Sequence, residues 1–243
     1  MNHTPAIGLI ACDVFSHEIT IAARNATHIL HRKSLPIGLH DRPNEMRVAL
    51  QAAIDEMDHQ LDIEAIVLSY GLCGLGTAGL SARKLPLVIP RAHDCITVFL
   101  GSKERCAERR QNCHGCYHYT SGWNRARRVP GPDRIAALRK EYTGTYNEED
   151  VNFLLESEHS MWSPYHTATF IDTGTSDATA EAAYTQSCAD WLGWKLEVIP
   201  GDPSLLHDLI YGVWDDDRFQ IIHPGRQLAH SPDSSIMRTK PFP

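Results

Sequence analysis

The chain has 243 residues, 42% hydrophobic and 22% charged, which is enough apolar material for one large α/β domain or two small, closely packed ones. Its formal net charge of -7 argues against nucleic acid as the main partner, because neutralising phosphates needs a basic face. No run approaches the roughly 18 apolar residues of a membrane span, and the short apolar N-terminal run lacks the basic segment of a signal peptide, so a cytoplasmic protein with no membrane partner is expected.

Residues 6–11, "AIGLIA", read as a short buried strand, and Ser16 is placed to cap a helix running to about Ala23. Asn44, after Pro43, starts a second helix that puts Met46, Leu50, Ala53, Ile54, Met57 and Leu61 on one face. "EAIVLSY" and "LPLVIP" are then two apolar runs of strand length joined by the glycine-rich "GLCGLGTAGL". The basic "RARR" at 125–128, followed by prolines, reads as a solvated loop. Asn147 caps a helix over "EEDVNFLLESEH", "TATFIDTG" is a strand, and "SDATAEAAYTQSCADWLG" is a helix ending at Gly193. "KLEVIPG" is the next strand, Asp202–Pro203 starts a helix, and "RFQIIHPG" closes the series. Alternation of strand and helix predicts an α/β fold, a mostly parallel sheet with helices on both faces, with room for two similar Rossmann-like halves. The expected division is a single domain over 1–226, or lobes 1–140 and 141–226, followed by an extended polar tail over 227–243.

Of the seven cysteines, Cys12, Cys73 and Cys95 each lie at or just beyond the carboxyl end of an expected strand. In an open parallel sheet the loops at that edge converge on a ligand crevice, so three distant thiols can meet there beside His93 and Asp94. Thiolates with an imidazole are a zinc donor set, so Cys12, Cys73, Cys95 and His93 are candidate ligands, with His93 and Asp94 as candidate catalytic groups. Arg91 is a candidate anion clamp, and the amides of Gly74 and Gly76 are candidate contacts to the substrate. The glycine loop is not a dinucleotide fingerprint, since Pro86 and another strand follow too soon for a helix, nor does it end like a phosphate-binding Gly-Lys-Ser/Thr loop. The alternatives are an iron–sulfur cluster on Cys12, Cys73 and Cys95, or buried cysteines acting as small apolar residues beside a purely structural turn. A second group, Cys106, Cys113 and Cys116 with His114 and His118 interleaved, reads either as a second metal site or as a surface loop with incidental thiols. Cys188, in mid-helix, reads as core.

"SYGLCGLGTAGL", "LVIPRAHDCITVFLGSKER", "SGW", "FIDTG" and "FQIIHPG" together resemble a family of domains of unknown function from archaea and bacteria, often encoded among corrinoid-dependent methyltransferases. The resemblance spans roughly residues 6–226 and is most specific in the "YGLCG" and "IPRAHDC" blocks; "CAERRQNCHGCYHYT" departs from it. It implies a place near one-carbon or methyl-group metabolism, with a corrinoid on a partner protein. Joined to the strand-end thiols, the first expectation is a zinc-dependent transferase that activates a thiol or a small methylated substrate. The other is an accessory protein that binds a metal or a corrinoid protein without turnover.

Overall fold

The computed structural model describes residues 4–174 and 178–242. In chain order the elements are β1 (Ile7–Cys12), α1 (Ser16–Ala22), β2 (Ile29–Leu35), α2 (Pro43–Met57), β3 (Ala65–Ser69), β4 (Leu87–Pro90), α3 (Cys95–Phe99) and α4 (Lys103–Asn112). Then come β5 (Cys116–Thr120), α5 (Ser121–Arg125), α6 (Pro132–Thr143), α7 (Glu148–Ser160), β6 (Thr167–Asp172), α8 (Ala178–Leu192) and β7 (Lys195–Pro200). α9 (Ser204–Ile210), β8 (Phe219–Ile222), β9 (Arg226–His230) and β10 (Met237–Pro241) complete the chain. Two compact units result: residues 1–108 with 201–243, and residues 109–200. The division expected after residue 140 falls elsewhere, because the segment after residue 200 returns to the first sheet.

The first unit is built on a five-stranded sheet of order β2-β1-β3-β4-β8, parallel except for β8, which runs antiparallel to β4. Its central strands are continuously apolar because both faces are covered, as parallel sheets require. Ile10, Ile66, Leu68, Leu87 and Ile89 pack with Met46, Leu50, Ala53 and Ile54 of α2. The alternating set of Leu9, Val67 and Val88 is equally buried on the opposite face, and α9 packs on β3 and β4. α2 stops at Met57, so Leu61 falls in the following turn and is fully exposed instead of joining the core stripe. Ser16 is the first residue of α1, and Phe15 holds the cap position.

Two parts of this unit depart from expectation. β2, "ILHRKSL", alternates half-buried with exposed residues at the sheet edge, and its polar composition conceals it. Residues 227–243 are not an extended arm: β9 and β10 form an antiparallel pair. Leu228, Ile236 and Met237 bury their side chains in the main core, while His230 and residues 232–234 between them are exposed.

The second unit has a fully parallel sheet of order β5-β6-β7 with α8 packed on β6 and β7. Tyr119, Ala168, Phe170, Cys188 and Ala189 are core residues there. Asn147 caps α7 by accepting the Asp150 amide at 2.9 Å. The helix expected from Ser176 is seen from Ala178, Ser176 and Asp177 lying outside the described residues.

Candidate functional site

From β1 the chain crosses to β2 on one side, whereas β3 leads to β4 on the other, so β1 and β3 flank the point where the strand order reverses. Loops diverge at such a point and leave a crevice at the carboxyl ends of the strands. Ala11 is in register with Ser69, which places Cys12, at the end of β1, beside Tyr70.

The glycine loop after β3 is anchored on every side. Leu72 and Cys73 donate their amides to the carbonyls of Ala92 and His93, both at 2.9 Å, which zips this loop onto the one after β4. That approach is why residue 71 is glycine: a Cβ there would lie 2.8 Å from the Asp94 nitrogen and 2.9 Å from the Ala92 oxygen. Thr77 Oγ1 donates to the Gly71 carbonyl at 3.0 Å, and Arg47 of α2 donates to the carbonyls of Leu75, at 2.9 Å, and Ala78. At its far end, Gly79 and Leu80 exchange backbone hydrogen bonds with Leu228 of β9, each 2.8 Å. Between these anchors Cys73, Gly74 and Leu75 are consecutively left-handed, with φ of 46°, 64° and 68°. For the two that are not glycine this conformation costs about 1 kcal/mol or more each. The surrounding bonds hold Cys73 in that geometry.

Cys12 and Cys73 are free, half-buried thiols. Burial pushes Cys12 up to about 11; the Val14 amide and the Tyr70 hydroxyl work against it, and Asp13 reinforces it. Burial likewise pushes Cys73 up to about 12, opposed by the amides of Gly71 and Cys95 and reinforced by Cys12 and Asp94. Tyr70 is only 3% exposed, and its hydroxyl finds no partner of hydrogen-bond geometry among the described residues. Burial first, then the neighbouring Cys12 and Cys73, raise its pKa far above the ordinary value. Ser69 Oγ, the preceding hydroxyl, is also buried without a hydrogen-bond partner among the described residues. Tyr70, Ser69 and Arg47 are absent from the expected site, since Tyr70 and Ser69 read as strand residues and Arg47 as a surface position of a helix.

The remaining expected residues divide differently. Cys95 is half-buried at the start of α3, its amide directed at the Cys73 sulfur. Asp94 caps that helix, its Oδ1 accepting from the Thr97 amide at 3.1 Å and from Thr97 Oγ1 at 3.2 Å. His93 is exposed, with its carbonyl engaged by Cys73. Arg91 donates to three carbonyls, Asp216 at 2.8 Å, Ser235 at 2.9 Å and Met237 at 2.6 Å, so its guanidinium fastens the C-terminal strands. Gly76 donates its amide to the Cys73 carbonyl at 3.2 Å and is packed against Met46, a turn-closing role, while Gly74 is the exposed tip. Among the described residues no three of His, Cys, Asp and Glu gather in a group that could hold a metal ion.

A family model, described as a protein of unknown function (DUF1638), matches residues 34–210. The chain belongs to the DUF1638 family. In this DUF1638 chain the matched span takes in Tyr70, Cys73, Cys95 and the second cysteine group, and it begins after Cys12. Neither a curated protein nor a solved structure matches it.

In the second cysteine group, Cys106 of α4 is buried, its sulfur 3.4 Å from Thr97 Oγ1. Cys113 and Cys116 are joined as a disulfide, with their Cα atoms 5.6 Å apart. In that state neither sulfur is a thiolate ligand, and a second metal centre on Cys106, Cys113 and Cys116 would need the pair reduced.

Proposed function

We propose that this DUF1638 protein is a thiol-dependent metal enzyme of methyl-group chemistry, acting through the crevice beside Cys12 and Cys73 on a thiol or a small methylated substrate. The observation that carries this reading is the pairing of two free thiols with the buried Tyr70 hydroxyl beside Cys12 at the strand-order reversal. Two soft sulfur donors suit zinc, and their burial among Asp13, Asp94 and carbonyl groups suits a cation. Cys95, whose amide already reaches Cys73, is the further soft donor nearest in the chain, and remaining positions are left to substrate. Such an ion would supply Lewis acidity and hold a sulfur or oxygen group in its anionic form. Tyr70 would donate its proton in a hydrogen bond to the bound group, and the left-handed turn would keep the Cys73 sulfur directed at it. The link to methyl groups rests on the resemblance of "YGLCG" and "IPRAHDC" to chains encoded beside corrinoid-dependent methyltransferases, and a corrinoid protein is the partner this implies.

The test is metal analysis of protein purified without oxygen, with transfer assays from methylated amines, thioethers and methylcorrinoid to thiols. About one zinc per chain is expected, falling at least tenfold in Cys12→Ser and in Cys73→Ser. Tyr70→Phe is expected to keep the zinc and lose turnover. A folded, metal-free wild type overturns the reading, and iron with acid-labile sulfide replaces zinc by a cluster. Zinc bound without turnover on any methyl donor reduces the protein to a metal carrier.

A further inference from the structure

The second unit holds a different thiol arrangement, independent of the crevice above. The segment Cys113-His114-Gly115-Cys116 links the end of α4 to the start of β5 and is closed by the disulfide, with a sequence separation of 3. So short a loop restricts the unfolded chain little. The loop is instead held by backbone bonds: the amides of His166 and Thr167 donate to the Gly115 carbonyl at 2.9 and 3.1 Å. A Cβ on Gly115 would overlap the His166 ring. The two sulfur-bearing residues differ in access, Cys113 being half-buried beside the exposed His114, and Cys116 only 8% exposed.

Behind Cys116 stands a cation held in place. Arg109 Nη2 lies 3.0 Å from Cys116 Sγ. The same guanidinium forks onto Glu197, with Nη1 donating to Oε1 at 3.0 Å and Nη2 to Oε2, and Nη2 also donates to Thr169 Oγ1 at 3.1 Å. Thr169 in turn donates to Glu197 Oε2 at 2.9 Å. Glu197 Oε2 is 3.9 Å from Cys116 Sγ, further than the guanidinium, and His118 on β5 acts electrostatically on the same carboxylate. The charged and titratable groups around the inner sulfur are therefore Arg109 from α4, Glu197 from β7 and His118 from β5, with Arg109 closest.

We propose that Cys113–Cys116 is a reversible thiol–disulfide exchange site that takes electrons from dithiols. A thiolate of the reductant attacks Sγ of the accessible Cys113. The sulfur–sulfur bond breaks, and its electron pair leaves on Cys116, where Arg109 stabilises the thiolate; a better leaving group departs faster. The second thiolate of the reductant then attacks its own sulfur in the mixed disulfide and releases Cys113. The two protons given up by the reductant pass to solvent, from which Cys113 is protonated, and Cys116 to the extent its pKa allows. The reductant ends as a disulfide and the protein as a dithiol, a two-electron exchange with no other reagent.

The full chain is treated under native conditions with dithiothreitol, or with reduced glutathione as the monothiol arm, and Cys113 and Cys116 are quantified by alkylation and mass spectrometry. Reduction by dithiothreitol within minutes, and reoxidation by its oxidised form, are expected. Arg109→Gln should slow reduction about tenfold, with most of the rate restored in Arg109→Lys, which keeps the charge. In the reduced wild type, the thiolate absorbance of Cys116 should titrate below the ordinary thiol value of about 8.5, a readout that needs no variant to fold. A bond that opens only with denaturant overturns the proposal. So does an Arg109→Gln chain reduced at the wild-type rate, a Cys116 titrating at or above the ordinary value, or a reduced pair isolated with zinc bound between the sulfurs.

Discussion

The two cysteine pairs of this chain sit among neighbours of opposite sign. Around Cys12 and Cys73 the carboxylates that act on the thiols are Asp13 and Asp94, and burial raises both thiols well above the ordinary value. Around Cys116 the nearest charge is the guanidinium of Arg109, oriented by Glu197 and Thr169. Burial thus opposes ionisation of the thiols in one unit, whereas in the other a guanidinium lies beside the Cys116 sulfur. The difference teaches that neighbouring charge, more than cysteine spacing, sets what a thiol does: the first pair calls for a cation from outside, and the second brings its own.

The severest way to break this contrast is Gly71→Ala. The added methyl meets backbone on both sides, which cannot move aside as a side chain would, so the first unit should lose about 3 kcal/mol. Denaturation curves should show that loss, while alkylation of the same sample should find Cys113 and Cys116 still paired. Simultaneous opening of that disulfide would show that the two sites are not separate. A milder contrast comes from acid. Burial works against the charge on Glu197, but hydrogen bonds from Arg109 and Thr169 outweigh it and hold its carboxyl below the ordinary value. A carboxylate depressed in this way stabilises the fold above its unfolded value of about 4.3 and loses that contribution as pH falls through its folded one. Glu197→Gln should therefore flatten the acid limb of the second unit's stability curve and leave that of the first unchanged, as read by hydrogen exchange along each sheet. The smallest effect is expected from Leu75→Gly. It relieves a left-handed residue that is also exposed, and should raise the melting midpoint of the first unit by an amount equivalent to about 0.5–1 kcal/mol. A fall instead would show that the Leu75 side chain contributes packing that outweighs its backbone strain.

Much of the first sheet is legible in the chain, because strands buried on both faces must be mostly apolar, as "IGLIAC", "AIVLS" and "LVIP" are. β2 and the β9–β10 pair are not, since an edge strand buries half its residues and shows a polar face that resembles loop. At the candidate site, the meeting of Cys12 with the Cys73 loop follows from their positions after neighbouring strands. What could not be read is which polar groups are already engaged. Arg91 and Asp94 are chemically suited to substrate, yet one is bound to three carbonyls and the other to a helix end. Tyr70, which ends an apolar run and gives no motif, buries its hydroxyl beside Cys12. In the second group, α4 carries Arg109 to Cys116 across a turn of chain, while Glu197 arrives from 81 residues further on, a contact no local pattern encodes.

The pairing of Gly79 and Leu80 with β9 sets an order of events during synthesis. A ribosome moves from one end to the other, and residues 109–200 form one uninterrupted stretch, so every strand of the second sheet is translated before β8, β9 and β10 exist. The glycine loop and Arg91 wait for those late strands. Cys12, Cys73 and Cys95 are already translated when Cys113 and Cys116 appear, but the bonds that fix their crevice are completed only by the last strands.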